Sequence, residues 1–351
     1  GSQSKIMEEK SSRILFIYTR TSTFINGDLD ILSGRHIVTS LEVDNSTPSK
    51  QLFALIKEFF FLLANIKSYD VVYIWFADYH SFLPALFAKL AGKRCLLVIG
   101  GYDTCRVKKY KYGSFVNPLR GFMTRMSMKM ATLNLCVSKY VERVVRAVAP
   151  GSATEVLYNG IRFEPAQVRK SAGPRQVLCV ALATSPQAFH IKGVDRFIAL
   201  AAAMPQYQFT LVGANMDRIW FLTGKIPANL SILPKVDHSQ LRKFYSKSHV
   251  YCQLSRRESF SLALAEAMIH GCIPVITRVG GMPEVTGEFG ESVFALFGDN
   301  FKSSGENSAL ESAKEAVENA LAHKDNIAQA ERIRTHFTFE KRAERLLELV
   351  K

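Results

Sequence analysis

The chain has six cysteines, and no two of them form a C-x-x-C pair. That absence excludes zinc-ribbon and dithiol redox chemistry. Cys95, Cys136, Cys179 and Cys252 lie in or beside apolar runs and read as buried free thiols of a reducing cytosol. Long hydrophobic runs are missing too. The most apolar helical stretch, Leu52 to Ile66, is interrupted by Lys57 and Glu58 and is too short to span a bilayer. No secretory signal is visible, and the leading Gly1-Ser2 reads as an expression remnant. There is no repeat with a period of about 20–50 residues, which excludes solenoids and propellers. Acidic residues are scarce in the first half: residues 1–172 carry 24 Lys and Arg against 13 Asp and Glu. Residues 173–351 carry 21 against 18, so most of the net charge of +14 sits in the first half. That half suits an anionic partner such as a phosphate or a membrane surface.

What is present is apolar residue in quantity, 48% of the chain, over a length that fits two domains. Short apolar runs alternate with amphipathic segments. Strands are expected at Ile14–Tyr18, Val71–Trp75, Cys95–Ile99, Leu133–Val137, Val177–Val180, Gln208–Val212, Val250–Gln253 and Pro274–Thr277. Helices are expected at Ser49–Ile66, Phe82–Ala91, Val194–Ala203 and Ser239–Ser246. Strands apolar on both faces and separated by helices imply parallel sheets covered on both sides. The break in periodicity from Glu164 to Pro174 marks a domain boundary. The expectation is an N-terminal unit over 1–168 and a C-terminal unit over 174–337. The amphipathic end, 338–351, is expected to pack back on the first unit.

The most informative stretch runs from Glu258 to Glu284, ESFSLALAEAMIHGCIPVITRVGGMPE. Ser259 or Ser261 can cap a helix that ends at Gly271. The free N–H groups and dipole of its first turn favour an anion, and a diphosphate fits there. Glu258 then lies where it can reach a sugar on that diphosphate, and Glu266 where it can accept from ribose hydroxyls.

These residues resemble the signature of the retaining glycosyltransferases of family 4, E-x-F-x-x-x-x-x-E-A-M-x-x-G-x-P-V-I followed by G-G-x-P-E. The chain supplies Glu258, Phe260, Glu266, Ala267, Met268, Gly271, Pro274, Val275 and Ile276, then Gly280, Gly281, Pro283 and Glu284. The similarity extends to Lys192-Gly193-Val194-Asp195, Leu211-Val212-Gly213, Val137-Ser138-Lys139, Tyr158-Asn159-Gly160 and the tail from Phe337 to Leu347. It covers roughly residues 130–350. The resemblance implies a GT-B architecture: two doubly wound, Rossmann-like α/β domains facing a central cleft, with the C-terminal helix returning to the N-terminal domain. It implies a nucleotide-diphosphate sugar as donor and no metal or other cofactor. It also implies that Lys192 neutralises the departing diphosphate. The donor residues are then Lys192, Glu258, Ser259, Phe260, Ser261, Leu262 and Glu266, with Gly213 and Val236 nearby.

One departure stands out. The family carries a phosphate-binding Arg just after the first strand of this domain, and here the strand exits as Val180-Ala181-Leu182-Ala183. His190, Arg256 or Arg257 is the candidate replacement. On that reading, Arg256→Ala weakens nucleoside-diphosphate binding and leaves the fold intact.

In the N-terminal half, Asp103 follows the Gly100-Gly101 strand exit and is read as binding a sugar hydroxyl or orienting the acceptor. Relatives often place a His near this point, and none stands between Gly100 and Tyr112. Tyr102 and Asp78 end neighbouring strands and join it as acceptor residues. Asp28 and Asp30 spell a D-x-D within Thr19 to Ile31, a stretch read as a solvated loop that touches acceptor, rather than as a metal site. From Asp103 to Met130, seven basic residues meet a single acid, interleaved with aromatics. That segment suits an anionic lipid surface. No RNA-binding motif accompanies it, so nucleic acid is not expected.

The combined expectation is a cytoplasmic glycosyltransferase, peripheral at the inner face of the membrane, acting on a lipid-linked or cell-surface glycan. A soluble transferase for a small acceptor, and a non-catalytic phosphate- or nucleic-acid-binding protein on the same scaffold, are the alternatives.

Overall fold

Near-continuous apolar runs bounded by helices build two parallel sheets. The structure, a computed structural model, describes residues 11–163, 175–293, 306–323 and 327–351. The expected boundary segment, 164–174, lies outside the described residues. The chain divides into two compact units, one of residues 1–108, 112–158 and 340–351, the other of residues 109–111 and 159–339.

The first unit alternates β1 (Arg13–Tyr18), α1 (Thr23–Ser33), β2 (Ile37–Glu42), α2 (Pro48–Asn65), β3 (Val71–Trp75), α3 (Tyr79–Leu90), β4 (Arg94–Ile99), α4 (Pro118–Met130), β5 (Leu133–Cys136), α5 (Lys139–Val148) and β6 (Thr154–Val156). Its strands are parallel and ordered β2-β1-β3-β4-β5-β6. β3 is buried along its whole length, and β4 from Cys95 onward. From β2 the chain moves steadily across the sheet. The right-handed rule therefore puts α2, α3 and α4 on one face. α2 packs beside α3, and α3 beside α4.

The second unit follows with β7 (Gln176–Val180), α6 (Pro186–Ile191), α7 (Val194–Ala203), β8 (Gln208–Val212), α8 (Met216–Thr223), β9 (Leu230–Leu233), α9 (His238–Lys247), β10 (Val250–Gln253), α10 (Leu262–Ile269), β11 (Ile273–Thr277), α11 (Met282–Thr286), β12 (Glu291–Val293), α12 (Glu306–Ala322) and α13 (Ile327–His336). Its order is β12-β11-β10-β7-β8-β9. The chain runs from β7 outward to β9 and then returns to pair β10 on the other side of β7. The strand order reverses there, and in such sheets ligands bind beyond the carboxyl ends of the strands flanking the reversal.

The last helix, α14 (Phe339–Leu349), joins the first unit from Glu340 onward. Leu346 and Val350 are fully buried, and Ser12 Oγ donates to the carbonyl of Val350 at 3.2 Å. The turn at Asn159-Gly160 makes room for this return. A Cβ on Gly160 would stand 2.6 Å from the Cα of Phe339, and Ile161 N donates to the carbonyl of Phe337 at 2.8 Å.

One expectation is overturned. Most of the stretch read as a loop, Thr19 to Ile31, is helical from Thr23 onward. Ser22 caps α1 by accepting from Ile25 N at 3.4 Å, while Ile25, Ile31 and Leu32 enter the core. Three buried apolar anchors outweigh the cost of about 1 kcal/mol for Gly27 inside a helix.

Candidate functional site

β10 is buried throughout, and polar side chains fix its exit loop. Thr277 Oγ1 donates to the carbonyl of Ser255 at 2.6 Å, Arg196 Nη1 to that of Leu254 at 3.2 Å, and Arg256 N to that of Ile191 at 2.8 Å. Gly193, with φ +68, lies against the same exit. A Cβ there would fall 1.9 Å from the carbonyl oxygen of Leu254. Only glycine fits a positive φ and so close a backbone approach. The Lys192-Gly193 turn is thereby held beside the start of the Glu258 loop.

Lys192 Nζ reaches Glu258 Oε2 at 2.7 Å. Gln253 Nε2 donates to the same oxygen at 2.9 Å, and Ser259 N donates to Oε1 at 3.2 Å. Gln253 is buried, and its Oε1 accepts from Tyr251 Oη at 2.9 Å and from Ser261 Oγ at 2.8 Å. Ser261 in turn accepts from Leu264 N at 3.2 Å and so caps α10. Its φ of +75 is uncommon for a residue with a side chain, and such conformations concentrate at functional sites. The Gly-Gly turn supports Glu258 from the other side. Gly281 N donates to the carbonyl of Glu258 at 3.0 Å, and a Cβ on Gly280 would fall 1.7 Å from that oxygen. The G-G-x-P-E motif is therefore a clamp on the backbone of Glu258.

Glu266 lies one turn into α10. Its Oε1 meets His238 Nε2 at 3.1 Å, and its Oε2 accepts from Tyr245 Oη at 3.2 Å. Burial, with the neighbouring carboxylate, raises the Tyr245 phenol well above its ordinary value, so it stays a donor. Val236, Ser259 and Leu262 are half-buried around these groups. Gly213 ends β8 with φ +104, where a Cβ would fall 2.5 Å from the carbonyl oxygen of Ala181.

Two expected donor residues stand differently. Arg256 is buried and makes a two-pronged pair with Asp195, at 2.7 and 2.8 Å, plus a bond to the carbonyl of His190 at 2.7 Å. It ties the Lys192-Gly193-Val194-Asp195 motif to the Glu258 loop, so its removal affects the fold. Arg256→Ala is expected to lower stability by about 2–3 kcal/mol in urea unfolding, because Asp195 loses its partner. Phe260 is buried against Phe337, ring centroids 5.4 Å apart, and serves the core. Arg257 is exposed and donates to the carbonyl of Arg256 at 2.8 Å. His190 Nδ1 sits 3.5 Å from Asp195 Oδ2.

In the first unit the structure corrects two acceptor assignments. Asp28 is buried in α1. Arg342 grips its carboxylate at 2.6 and 2.7 Å, and Tyr73 Oη and Trp75 Nε1 donate to it at 2.6 and 2.9 Å. No oxygen of it is left to face an acceptor. Asp103 is also buried, and its carboxylate accepts from Ala77 N, Gly100 N and Gly101 N at 3.0, 3.3 and 2.7 Å. Burial pushes its carboxyl up to about 6 against these amides. It joins the exits of β3 and β4 and has no free edge for a sugar hydroxyl. The other two stay together. Asp78, the cap of α3, pairs with Arg120, and Arg120 Nη1 donates to Tyr102 Oη at 3.0 Å. Beside them Phe76 has φ +68, and a Cβ on Gly100 would meet its ring at 2.3 Å.

Gln253, Asp195 and Tyr245 were not anticipated. Gln253 left a signal, as the one amide in an otherwise buried strand that must find partners.

Residues 165–304 match the family model for glycosyl transferases group 1. The chain carries a glycosyltransferase group 1 domain. The Lys192 and Glu258 cluster lies inside it. Among curated relatives, the phosphatidylinositol N-acetylglucosaminyltransferase gpi3 subunit of Schizosaccharomyces pombe is 27% identical over 165 residues, 43% of this chain and 35% of its own length. The first such relatives are matched over only about a third of their length. The GDP-mannose:cellobiosyl-diphosphopolyprenol alpha-mannosyltransferase of Xanthomonas oryzae is 24% identical over 76% of this chain and 68% of its own. Sucrose-phosphate synthase from Thermosynechococcus elongatus superposes with a TM-score of 0.76 at 16% identity, covering 96% of this chain and 98% of its own. The glycosyltransferase domain and the unit that precedes it have the GT-B fold.

Proposed function

We propose that the protein is a retaining glycosyltransferase of family 4 that transfers a sugar from a nucleotide-diphosphate donor to a hydroxyl of a lipid-linked or cell-surface glycan. The observation that carries this reading is the convergence of Lys192, Glu258 and Gln253 beyond the carboxyl end of β10, next to the first turn of α10 and at the reversal of strand order. Lys192 neutralises the diphosphate as it leaves, and the free amides of α10 hold it. Glu258 takes the donor sugar, and Glu266, oriented by His238 and Tyr245, takes the ribose. Arg257 supplies the second cation in place of the missing Arg. The acceptor hydroxyl attacks the face the diphosphate leaves, and the diphosphate oxygen receives its proton. Asp78, Arg120 and Tyr102 contact the acceptor.

A lipid-linked acceptor is supported by two relatives whose names specify phosphatidylinositol and a diphosphopolyprenol. Among the described residues no helix is long and apolar enough to cross a membrane. A peripheral position at the cytoplasmic face is part of this proposal, supported by the lipid-linked substrates named for the two relatives. The basic segment from Asp103 to Met130 faces anionic lipid in this reading.

A thermal-shift series with UDP, GDP, ADP and their sugars tests the donor site. One nucleotide at about 100 times its Kd should add roughly 2.7 kcal/mol of stability. No protection by any of them defeats the reading. Retention is read from the anomeric proton coupling of the product.

A further inference from the structure

Helix α2 presents its apolar side outward. Leu52, Phe53, Ile56, Phe59, Phe60 and Leu63 are 62, 60, 48, 39, 63 and 62% exposed. At about 100° per residue these six fall within an arc of roughly 120°, a continuous stripe along the helix. Only Glu58 and Leu62 of its 18 residues are buried. A surface helix normally turns such a stripe to the core. Leu90 at the end of α3 is 77% exposed, and Lys93 Nζ bonds the carbonyl of Lys67 at 3.1 Å, so the ends of α2 and α3 share this surface.

The charges around the stripe are mostly basic, with one acid, Asp44, 4.0 Å from Lys50. Lys50 and Lys57 flank it and Lys67 closes its end, all exposed. Lys57 Nζ lies 4.5 Å from the Phe53 ring centroid, its stem alongside the apolar surface. The one acid of α2, Glu58, is buried, and neither of its oxygens has a hydrogen-bond partner among the described residues. Burial pushes that carboxyl up to about 9, so it adds no negative charge to this face near neutral pH.

We infer that α2 lies in the plane of an anionic bilayer, with its Leu, Ile and Phe stripe among the acyl chains and its lysines at the headgroups. Apolar residues on one face and lysines at its margin are what an interfacial helix requires. This inference rests on the membrane-proximal reading above and names a different element from the basic segment. α2 inserts, while the 103–130 charges act only at a distance.

The test is co-sedimentation of the full chain with vesicles of phosphatidylcholine containing phosphatidylglycerol, and with phosphatidylcholine alone. The unaltered protein should prefer the anionic vesicles. Phe53→Ser/Phe60→Ser, at exposed positions that leave the core intact, should reduce binding by about tenfold or more. Arg125→Glu/Lys129→Glu on α4 should have a smaller effect. Phe60→Trp should shift its emission to the blue when anionic vesicles are added. If the serine variant binds as well as the unaltered protein, the inference about α2 fails and the membrane reading stands. If the unaltered protein ignores both vesicle types, the membrane reading fails and this inference with it. Loss of self-association in the serine variant, with vesicle binding unchanged, makes the stripe a face for a second copy and overturns the proposal.

Discussion

Replacing Lys192 with alanine should lower kcat by about 10²–10³-fold while lowering folding stability by only about 1–2 kcal/mol. The two halves of this expectation have separate grounds. Lys192 is one-third exposed, and its ammonium makes one ion pair, with Glu258. Glu258 keeps Gln253 Nε2 and Ser259 N when the lysine is gone, so its position is retained. The pair is partly buried, with Glu258 10% exposed, so losing it should cost about 1–2 kcal/mol of folding stability. The rate effect is larger because the charge on a departing diphosphate develops only in the transition state, and a fixed ammonium stabilises it there more than in the ground state. The deficit should therefore appear in kcat more than in KM for the donor. Lys192→Arg should recover only part of the rate, since the longer side chain carries its charge in a planar fork and sets it at a different point from the compact ammonium. A kcat within about tenfold of normal in the alanine variant would remove Lys192 from the chemistry.

The interior of each sheet was legible in the sequence, and its margins were not. β3, β8 and β10 fall where their apolar runs predict them, because strands buried on both faces need near-continuous apolar residues. The four strands without an advance signal, β2, β6, β9 and β12, are the four edge strands. An edge strand is half-solvated, and β2 alternates exposed and partly exposed positions with no apolar run to mark it. The site divides the same way. Glu258 and Lys192 are marked by motif spacing, and the structure brings their side chains together. Their support comes from positions far along the chain: Asp195 on Arg256, and Gly280 under the carbonyl of Glu258. Sequence spacing carries no information about a pairing across 61 residues. Asp28 and Arg256 were misassigned for one reason. A charged side chain near a strand exit looks available in sequence, and only the fold reveals a partner that already holds it.

Arg342→Ala should cost about 3–5 kcal/mol of stability, the largest effect expected of a single substitution here. Arg342 and Asp28 are both buried. The arginine gives two bonds to the carboxylate and one each, at 3.0 Å, to the carbonyls of Leu157 and Tyr158. Its guanidinium carbon also sits 5.6 Å from the Trp75 ring centroid. Removing it leaves a buried carboxylate held, among the described residues, by Tyr73 and Trp75, and takes one donor from each of two carbonyls. Desolvation of that uncompensated charge is the main term, so the loss exceeds what a surface pair would show. The bond also joins residues 314 positions apart and fixes α14 to the first unit, so a larger loss is expected when the chain is cut before Glu340, which also removes the buried Leu346 and Val350. The double variant Asp28→Leu/Arg342→Met separates charge from packing. With neither charge left, part of the stability should return, because no buried charge is stranded, while Tyr73 Oη and Trp75 Nε1 lose their acceptor. Urea unfolding of the unaltered protein, Asp28→Leu, Arg342→Met and the double variant reads the cycle. Equal losses in the single and double variants would mean that Arg342 acts through packing of α14 and not through Asp28.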